Sequence, residues 1–476
     1  MPSVRSRAGM VACILAGLLL LLPVAASIAQ PAVPDTPAGH ALHDWLQAFD
    51  SGDRATYQKF AEAEYPSSAP RLDRLMQFQA MSGGFDLKKI ESSAPATLIA
   101  LLEDRNTEQF ARVTLTMDAT EPNRIASVSL EAIDTPVEFQ PAPMNESQLV
   151  AAMKAKLESA AAAGRFSGAA LLAKNGATIF AQAYGYADRA NKTPNTLETR
   201  FRIGSMNKMF TATSILQLVQ AGKVQLDAPL GTYLTNYPNK DVAKVTIQQL
   251  LTHTGGTGDI FEPGFDAHRL ELKTLHDYEK LYGSRAPEFP PGSKYEYSNY
   301  GFVLLGLVIE KVSGESYYDY VREHVYVPAG MTSTGSEPED QTVANRSIGY
   351  TQSESGQTEP NTNTLPYRGS SAGGGYSTVG DLLNFANALQ ANKLLDAHHT
   401  ELLTTGAVDT PNGKYALGFG DRRIDGVRCF GHTGGAPGMS GDLEICPVPG
   451  YTIVVLANFD PPAAGISDYV LKRLPH

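Results

Sequence analysis

Strand-like segments lie near both ends of the last two-thirds of the chain, and a mainly helical region separates them. The five apolar segments are residues 166–173, 177–184, 428–434, 441–446 and 451–458. The first two flank Asn175-Gly176, a dipeptide typical of a tight β-hairpin. We therefore expect residues 144–476 to form one α/β (α+β) sandwich, with an antiparallel sheet built from both ends, flanking helices and an all-helical insertion.

The segment before this domain predicts a smaller α+β unit. An amphipathic helix is expected over residues 41–51, and four strand-like runs follow residues 83–84. Trp45 and the sequence from Phe49 to Asp53 resemble the opening of the NTF2-like cone fold. We interpret residues 30–143 as this unit and a proline-rich linker, and expect an accessory role more than a second active site.

The first 29 residues have the pattern of a secretory signal peptide. Arg5 and Arg7 precede an apolar run over residues 11–22, and Ser27-Ile28-Ala29 provides small residues at the positions that a signal peptidase reads. The run is shorter than a membrane span. The sequence therefore predicts an exported protein, periplasmic or secreted.

Charge and composition restrict the partners. The leader holds two of the 39 basic residues and none of the 50 acidic ones, so the exported part would carry 37 basic side chains and a net charge of about −13. Nucleic acid and anionic membranes are poor partners for such a protein. The histidines show no metal-ligand spacing, so we expect no metal and no cofactor. A small-molecule or peptide substrate remains, and we assign no oligomeric state.

Two cysteines, Cys429 and Cys446, remain after the leader. They flank the predicted late strand pair almost symmetrically, and an exported protein meets an oxidising environment. A cross-strand disulfide and two buried free thiols are both compatible with this pattern.

Ser205 and Lys208 form the first candidate pair. Ser205 precedes an apolar helical stripe, so it should lie at a helix N-terminus, where backbone N–H groups favour developing negative charge. Lys208 lies three residues later on the same face, and a desolvated lysine can act as a base. Because serine is also a common helix cap, this pair alone is weak evidence.

A second motif, Tyr297-Ser298-Asn299, comes just before another apolar helix, which is predicted over residues 302–312. Tyr297 is a candidate to relay a proton between Ser205, Lys208 and a leaving group. The Asn299 amide is a candidate to bind both Lys208 and a substrate amide.

The third motif, His432-Thr433-Gly434-Gly435, lies on a predicted late strand. A glycine-rich strand lets a substrate backbone approach closely. The amides of Gly435 and Ser205 are therefore expected to form a two-donor oxyanion hole.

In this order, Ser-x-x-Lys, Tyr-x-Asn and x-Thr-Gly resemble the serine β-lactamase and penicillin-binding protein superfamily. The Tyr-x-Asn element is similar to the class C β-lactamase branch with its D-alanyl-D-alanine carboxypeptidase and esterase relatives. The resemblance covers about residues 145–475. It implies a serine hydrolase with Ser205 as nucleophile, Lys208 as base, Tyr297 as a catalytic partner and a covalent acyl-enzyme.

His-Thr-Gly-Gly occurs twice, at residues 253–256 and 432–435. The first copy follows a helical stretch, so we interpret it as a helix-end turn with Gly255 at the C′ position. The second lies on a strand after the tyrosine motif, where the third element of the superfamily belongs. We therefore assign the substrate-binding role to the second copy.

His432 stands where true β-lactamases of this kind carry lysine. A histidine is mostly neutral near pH 7, so attraction of a substrate carboxylate is weakened, although His432 could still hydrogen-bond one. We expect an ester, an amide or a D-amino-acid peptide as substrate, with a β-lactam disfavoured. The alternative is a catalytically silent module that binds penicillin or cell-wall peptide.

Overall fold

The structure, a computed structural model, describes residues 31–353, 357–411, 413–460 and 463–475. The predicted signal peptide, residues 1–29, lies outside the described residues. The chain divides into two compact units. The described residues up to Met76, with Phe85–Glu103 and Ala111–Ala132, make up the smaller unit, and the rest makes up the larger one. Among the described helices, none is long and apolar enough to cross a bilayer.

The smaller unit contains helices and a four-stranded sheet whose strands lie side by side in chain order. The helices of this region are Pro37–Asp50, Arg54–Glu64 and Leu72–Ser82, and the strands are Phe85–Ser93, Thr97–Asp104, Phe110–Met117 and Ile125–Ile133. The first helix begins four residues before its predicted start, because the Thr36 hydroxyl accepts a hydrogen bond from the Gly39 amide and caps it. Trp45, Phe49 and Phe85 stack in the core, with ring centroids 5.5 to 6.3 Å apart.

The larger unit is built on an eight-stranded antiparallel sheet. From one edge to the other its strands are Val408–Thr410, Gly413–Tyr415, Gly420–Ile424, Val427–Ala436, Met439–Cys446, Tyr451–Ala457, Gly168–Lys174 and Ala177–Tyr184. The last strand in the chain pairs with the first of the domain, with Val454 opposite Leu171. Asn175 and Gly176 adopt left-handed φ angles of 48° and 79° in the predicted hairpin turn.

Helices cover both faces of this sheet. Leu171 and neighbouring strand residues pack into the core that contains the helices Asn207–Gln220 and Val379–Gln390. Leu172, on the opposite face, packs with Glu146–Ala162 and Ala464–Leu471. Residues 168–173 are therefore buried on both faces, which explains their continuous apolar sequence. The predicted sandwich is confirmed.

The middle of the domain is mainly helical, as expected. Its helices include Asn207–Gln220, Ile247–Leu251, Pro263–His268, Leu275–Tyr282, Asn299–Ser313, Tyr317–Val321, Val327–Ala329, Val379–Gln390 and Ala397–Thr404. One short strand pair, Tyr186–Asp188 with Thr193–Pro194, precedes these helices in the chain. Two more lie around or among them, namely Phe201–Gly204 with Gly375–Ser377 and Tyr350–Gln352 with Thr358–Pro360.

Cys429 and Cys446 form a disulfide in the structure. Phe430 lies opposite Ile445 in the strand pair, and continuing this register places the two cysteines opposite one another. Their side chains therefore meet on the same face of the sheet. Of the two alternatives that the sequence leaves open, the structure has the bonded one.

Candidate active site

Ser205 lies in the turn between the strand Phe201–Gly204 and the helix Asn207–Gln220, and its side chain is half-buried. Its carbonyl oxygen accepts a hydrogen bond from the Lys208 amide, 3.0 Å away, so Ser205 belongs to the first turn leading into the helix. Residues 207–216 and Leu218 of this helix are buried, which anchors the turn against the core.

Lys208 points its side chain back to Ser205 and is fully buried. Its Nζ lies 2.7 Å from Asn299 Oδ1, 2.6 Å from the Ala372 carbonyl oxygen and 3.2 Å from Ser205 Oγ. The amide and carbonyl oxygens can only accept. In the neutral amine, the two N–H groups are therefore engaged by Asn299 and Ala372, and the lone pair is left to face the Ser205 hydroxyl. This arrangement would let a neutral Lys208 accept the proton of the Ser205 hydroxyl.

The charge state of Lys208 should control the pH dependence of the reaction. Burial lowers the pKa of its ammonium group to about 7, while the nearby Asp259 carboxylate opposes the shift. Because only the neutral amine has a lone pair, kcat/KM for an uncharged ester should rise roughly tenfold per pH unit at acid pH and level off above about 7. Rates on p-nitrophenyl acetate across this range would test it. A flat profile, or one that falls as the pH rises, would contradict this role.

Tyr297 lies against both members of the pair. Its phenol lies beside the Ser205 hydroxyl, and Lys208 Nζ lies 4.7 Å from the centre of its ring. Burial raises the pKa of the Tyr297 phenol well above its usual value, so the hydroxyl keeps its proton at neutral pH. Tyr297 is thus suited to donate or relay a proton, whereas a phenolate base is disfavoured.

Asn299 is the first residue of its helix, and its amide is used at both ends. The oxygen accepts from Lys208, and Nδ2 lies 3.0 Å from each carboxylate oxygen of Asp259. The backbone amides of Ile260 and Phe261 also donate to Asp259. Asp259 therefore determines that the oxygen of the Asn299 amide faces Lys208. Both ends of this amide are thus hydrogen-bonded within the protein, which leaves fewer of its donors and acceptors for the substrate amide that we expected it to bind.

The sequence analysis did not identify Asp259. It follows the first His-Thr-Gly-Gly copy as Thr257-Gly258-Asp259, and its nearness to Asn299 depends on a contact between residues 40 positions apart. The signal available in the sequence was a carboxylate that closely follows the first His-Thr-Gly-Gly copy.

The third motif lies on the strand Val427–Ala436, next to the nucleophile strand. A Cβ on Gly434 would lie 1.9 Å from the Ile203 carbonyl oxygen, and one on Gly204 would lie 2.8 Å from the Gly435 amide nitrogen. Only glycine permits this approach. The Gly435 amide thus lies beside the backbone that leads into Ser205, where an oxyanion hole requires it. Thr433 is exposed on the same strand.

His432 is buried in the same strand. Burial, reinforced by the nearby Lys208, lowers the pKa of its imidazole to about 4. Its Nδ1 lies 2.5 Å from the Thr433 carbonyl oxygen and its Nε2 lies 2.9 Å from the Tyr415 hydroxyl. Both ring nitrogens are thus engaged within the protein, and the ring is neutral.

The first His-Thr-Gly-Gly copy differs from its prediction in one respect. The helix Ile247–Leu251 ends with Thr252 as its C-cap, so His253 occupies the C′ position, with a left-handed φ of 56°. The expectation that Gly255 is the C′ residue is wrong. His253 tolerates this conformation because the Ser298 amide donates to its Nδ1 at 3.1 Å and the ring is enclosed by aromatic side chains.

The larger unit is similar to proteins of known family. The profile of the family described as Beta-lactamase matches residues 148–474. The chain belongs to the beta-lactamase family. The matched range holds the eight-stranded sheet, its flanking helices and all three motifs.

Several individual proteins are similar to this member of the family. The putative penicillin-binding protein PbpX of Bacillus subtilis (strain 168) is 32% identical over 257 residues, which cover 53% of this chain and 62% of the relative. The chain thus spans less than two-thirds of that relative's length. A penicillin binding protein from Bacillus halodurans has a similar structure, with a TM-score of 0.61 and 34% identity over 65% of this chain and 98% of that one.

A D-stereospecific amidohydrolase from Streptomyces sp. is a further structural neighbour. Its TM-score is 0.58 and its sequence is 28% identical, over 67% of this chain and 97% of that chain. The neighbours of this beta-lactamase family member therefore include a hydrolase of amides as well as penicillin-binding proteins. At the level of the family, these proteins support a serine hydrolase.

Proposed function

We propose that this chain is an exported serine hydrolase that forms a covalent acyl-enzyme on Ser205 from an ester, an amide or a D-amino-acid peptide. The observation that carries the proposal is the position of Lys208, whose Nζ lies 3.2 Å from Ser205 Oγ while Asn299 and Ala372 accept its N–H groups, so that the lone pair of the neutral amine would face the Ser205 hydroxyl. A protein that only binds its ligand has no need of an oriented base. Export rests on the pattern of residues 1–29 alone.

The reaction would proceed in two acyl transfers. Lys208 takes the hydroxyl proton while Ser205 Oγ bonds to the substrate carbonyl carbon, and the resulting oxyanion is held by the Ser205 and Gly435 amides. The bond to the leaving group then breaks, and the proton passes through the Tyr297 hydroxyl to the departing oxygen or nitrogen. Water attacks the acyl-enzyme by the same route, with Lys208 as base, and Ser205 Oγ recovers its proton.

The charges around the site favour a substrate without a carboxylate near the scissile bond. His432 is neutral, and a cavity of about 180 Å³ beside Tyr297 is lined by carboxylates, among them Asp259, Glu288 and Glu296. Negative charge entering this region would be repelled. The amidohydrolase neighbour is in keeping with an amide or ester substrate.

Parallel turnover measurements test this preference. We expect higher kcat/KM on p-nitrophenyl acetate and D-alanine amide than on nitrocefin or a D-alanyl-D-alanine peptide, because only the last two carry the carboxylate. Faster turnover of nitrocefin or the peptide would overturn the substrate assignment.

Active-site labelling separates the enzyme from the silent binding module. We expect a fluorophosphonate probe to bond covalently to Ser205, located by mass spectrometry of the labelled peptide. Absence of a covalent adduct with both this probe and a fluorescent penicillin, together with no turnover of any of the four substrates, would favour the binding module.

A further inference from the structure

A buried tyrosine joins the two His-Thr-Gly-Gly copies. His253 Nε2 lies 3.1 Å from the Tyr415 hydroxyl oxygen, which lies 2.9 Å from His432 Nε2. All three side chains are buried, with at most 8% of each residue exposed. In the sheet, Tyr415 lies opposite Gly420, and Gly420 lies opposite Gly431, the residue before His432. Because these two glycines have no side chains, the Tyr415 side chain can extend across them to His432.

The direction of these hydrogen bonds is determined at His253. The Ser298 backbone amide, which can only donate, lies 3.1 Å from His253 Nδ1. Nδ1 therefore accepts and carries no proton, so the ring proton is on Nε2. His253 Nε2–H then donates to Tyr415, whose oxygen is the acceptor in this contact.

The same logic determines the state of His432. Tyr415 cannot direct its own hydrogen at His253, so the hydrogen goes to His432 Nε2. That leaves the His432 proton on Nδ1, where it donates to the Thr433 carbonyl oxygen. A doubly protonated His432 would point a second N–H at Tyr415 and leave the tyrosine hydrogen without an acceptor, which is costly in a buried site.

We propose that Tyr415 is a positioning and specificity-determining residue that holds His432 as the neutral Nδ1–H tautomer, in a direction set by the Ser298 amide through His253. Residue 432 is thereby a neutral part of the substrate strand, where a lysine would place a cation. The consequence for substrates rests on the proposed function, whereas the tautomer does not.

The groups around His432 also favour its neutral form. The titratable groups that face it are Lys208 on the nucleophile helix, Tyr297 and His253 on the two segments beside it, and Tyr415 on the sheet. Each is neutral or positively charged near pH 7, so the described groups that face His432 provide no carboxylate partner for an imidazolium.

Nitrogen-15 NMR of the imidazole rings in the full-length protein tests the tautomers directly. The two rings would be assigned with the single variants His253→Gln and His432→Gln. We expect a protonated Nδ1 in His432, a protonated Nε2 in His253, and no titration of either between about pH 5 and 8. Titration of His432 near its ordinary pKa, or a proton on its Nε2, would overturn the proposal.

The variant Tyr415→Phe tests the specificity, with Tyr295→Phe as the matched control. Tyr295 packs against the Tyr415 ring, with centroids 5.9 Å apart, and lies outside the hydrogen-bonded chain. In Tyr415→Phe, His432 should titrate at higher pH, and kcat/KM for p-nitrophenyl hydrogen glutarate relative to p-nitrophenyl acetate should rise about threefold or more between pH 8 and pH 6. Tyr295→Phe should change neither quantity.

The outcomes separate the two proposals. An unchanged titration of His432 and an unchanged ratio in Tyr415→Phe would show that Tyr415 has only a packing role. If the wild-type protein hydrolyses neither ester and none of the other substrates named above, and forms no covalent adduct with either probe, the proposed function fails, while the NMR measurement still decides the state of His432. Should Tyr415→Phe not fold, the wild-type spectra remain decisive.

Discussion

Replacing Ser205 with alanine is expected to abolish ester and amide hydrolysis and to leave the fold intact. Loss of a serine nucleophile typically lowers kcat on the order of 10⁵-fold or more, since no other group forms the acyl bond. Among the described residues, the half-buried Ser205 side chain hydrogen-bonds Lys208 and lies beside Tyr297, so little packing is lost. Turnover of p-nitrophenyl acetate, with thermal unfolding followed by circular dichroism, measures both effects.

The control for this substitution is Ser159→Ala, at an exposed position of the helix Glu146–Ala162. It should hydrolyse the ester at the wild-type rate. A Ser205→Ala protein that does the same would show that the nucleophile lies elsewhere.

Replacing Lys208 with alanine should lower kcat/KM about 10³-fold, in the range expected for loss of a general base. Lys208→Arg should be equally damaging, because a guanidinium stays protonated and has no lone pair for the Ser205 proton. If the residue acted only as a positive charge, arginine would retain much of the activity. Rates on p-nitrophenyl acetate with both variants distinguish the two roles.

Lys223→Ala provides the comparison, since Lys223 is exposed just beyond the same helix. Its activity should be unchanged. The Lys208 variants also remove a donor from Asn299 and Ala372, so their unfolding temperatures must be measured alongside. Substantial activity in a folded Lys208→Ala protein would refute the base assignment.

Most elements of the fold were predictable because their signals are local. The Asn175-Gly176 turn and the alternation of apolar residues depend only on neighbours in the chain. Boundaries were less accurate where capping decides them. The Ser298 hydroxyl accepts from the Gly301 amide, so the helix begins at Asn299 instead of at the apolar run from residue 302.

The candidate site was predictable in its residue types and order but not in its hydrogen bonds. Ser205 and Lys208 are one helical turn apart, which sequence spacing specifies. The acceptors that turn Lys208 into an oriented base lie 91 and 164 positions away along the chain. Asp259 and Tyr415 were missed for the same reason.

Sequence alone determined the beta-lactamase-type sandwich, the candidate nucleophile and the unusual histidine of the third motif, because each is a matter of which residue stands at which spacing. The two states left open by that histidine, neutral or charged, were decided only by tertiary structure. A ring's protonation depends on the atoms that surround it, and here those atoms come from Ser298, His253 and Tyr415, distant segments that meet only in the folded chain. The burial of Lys208 and the acceptors around its amine were likewise decided by tertiary structure, and no local pattern encodes them.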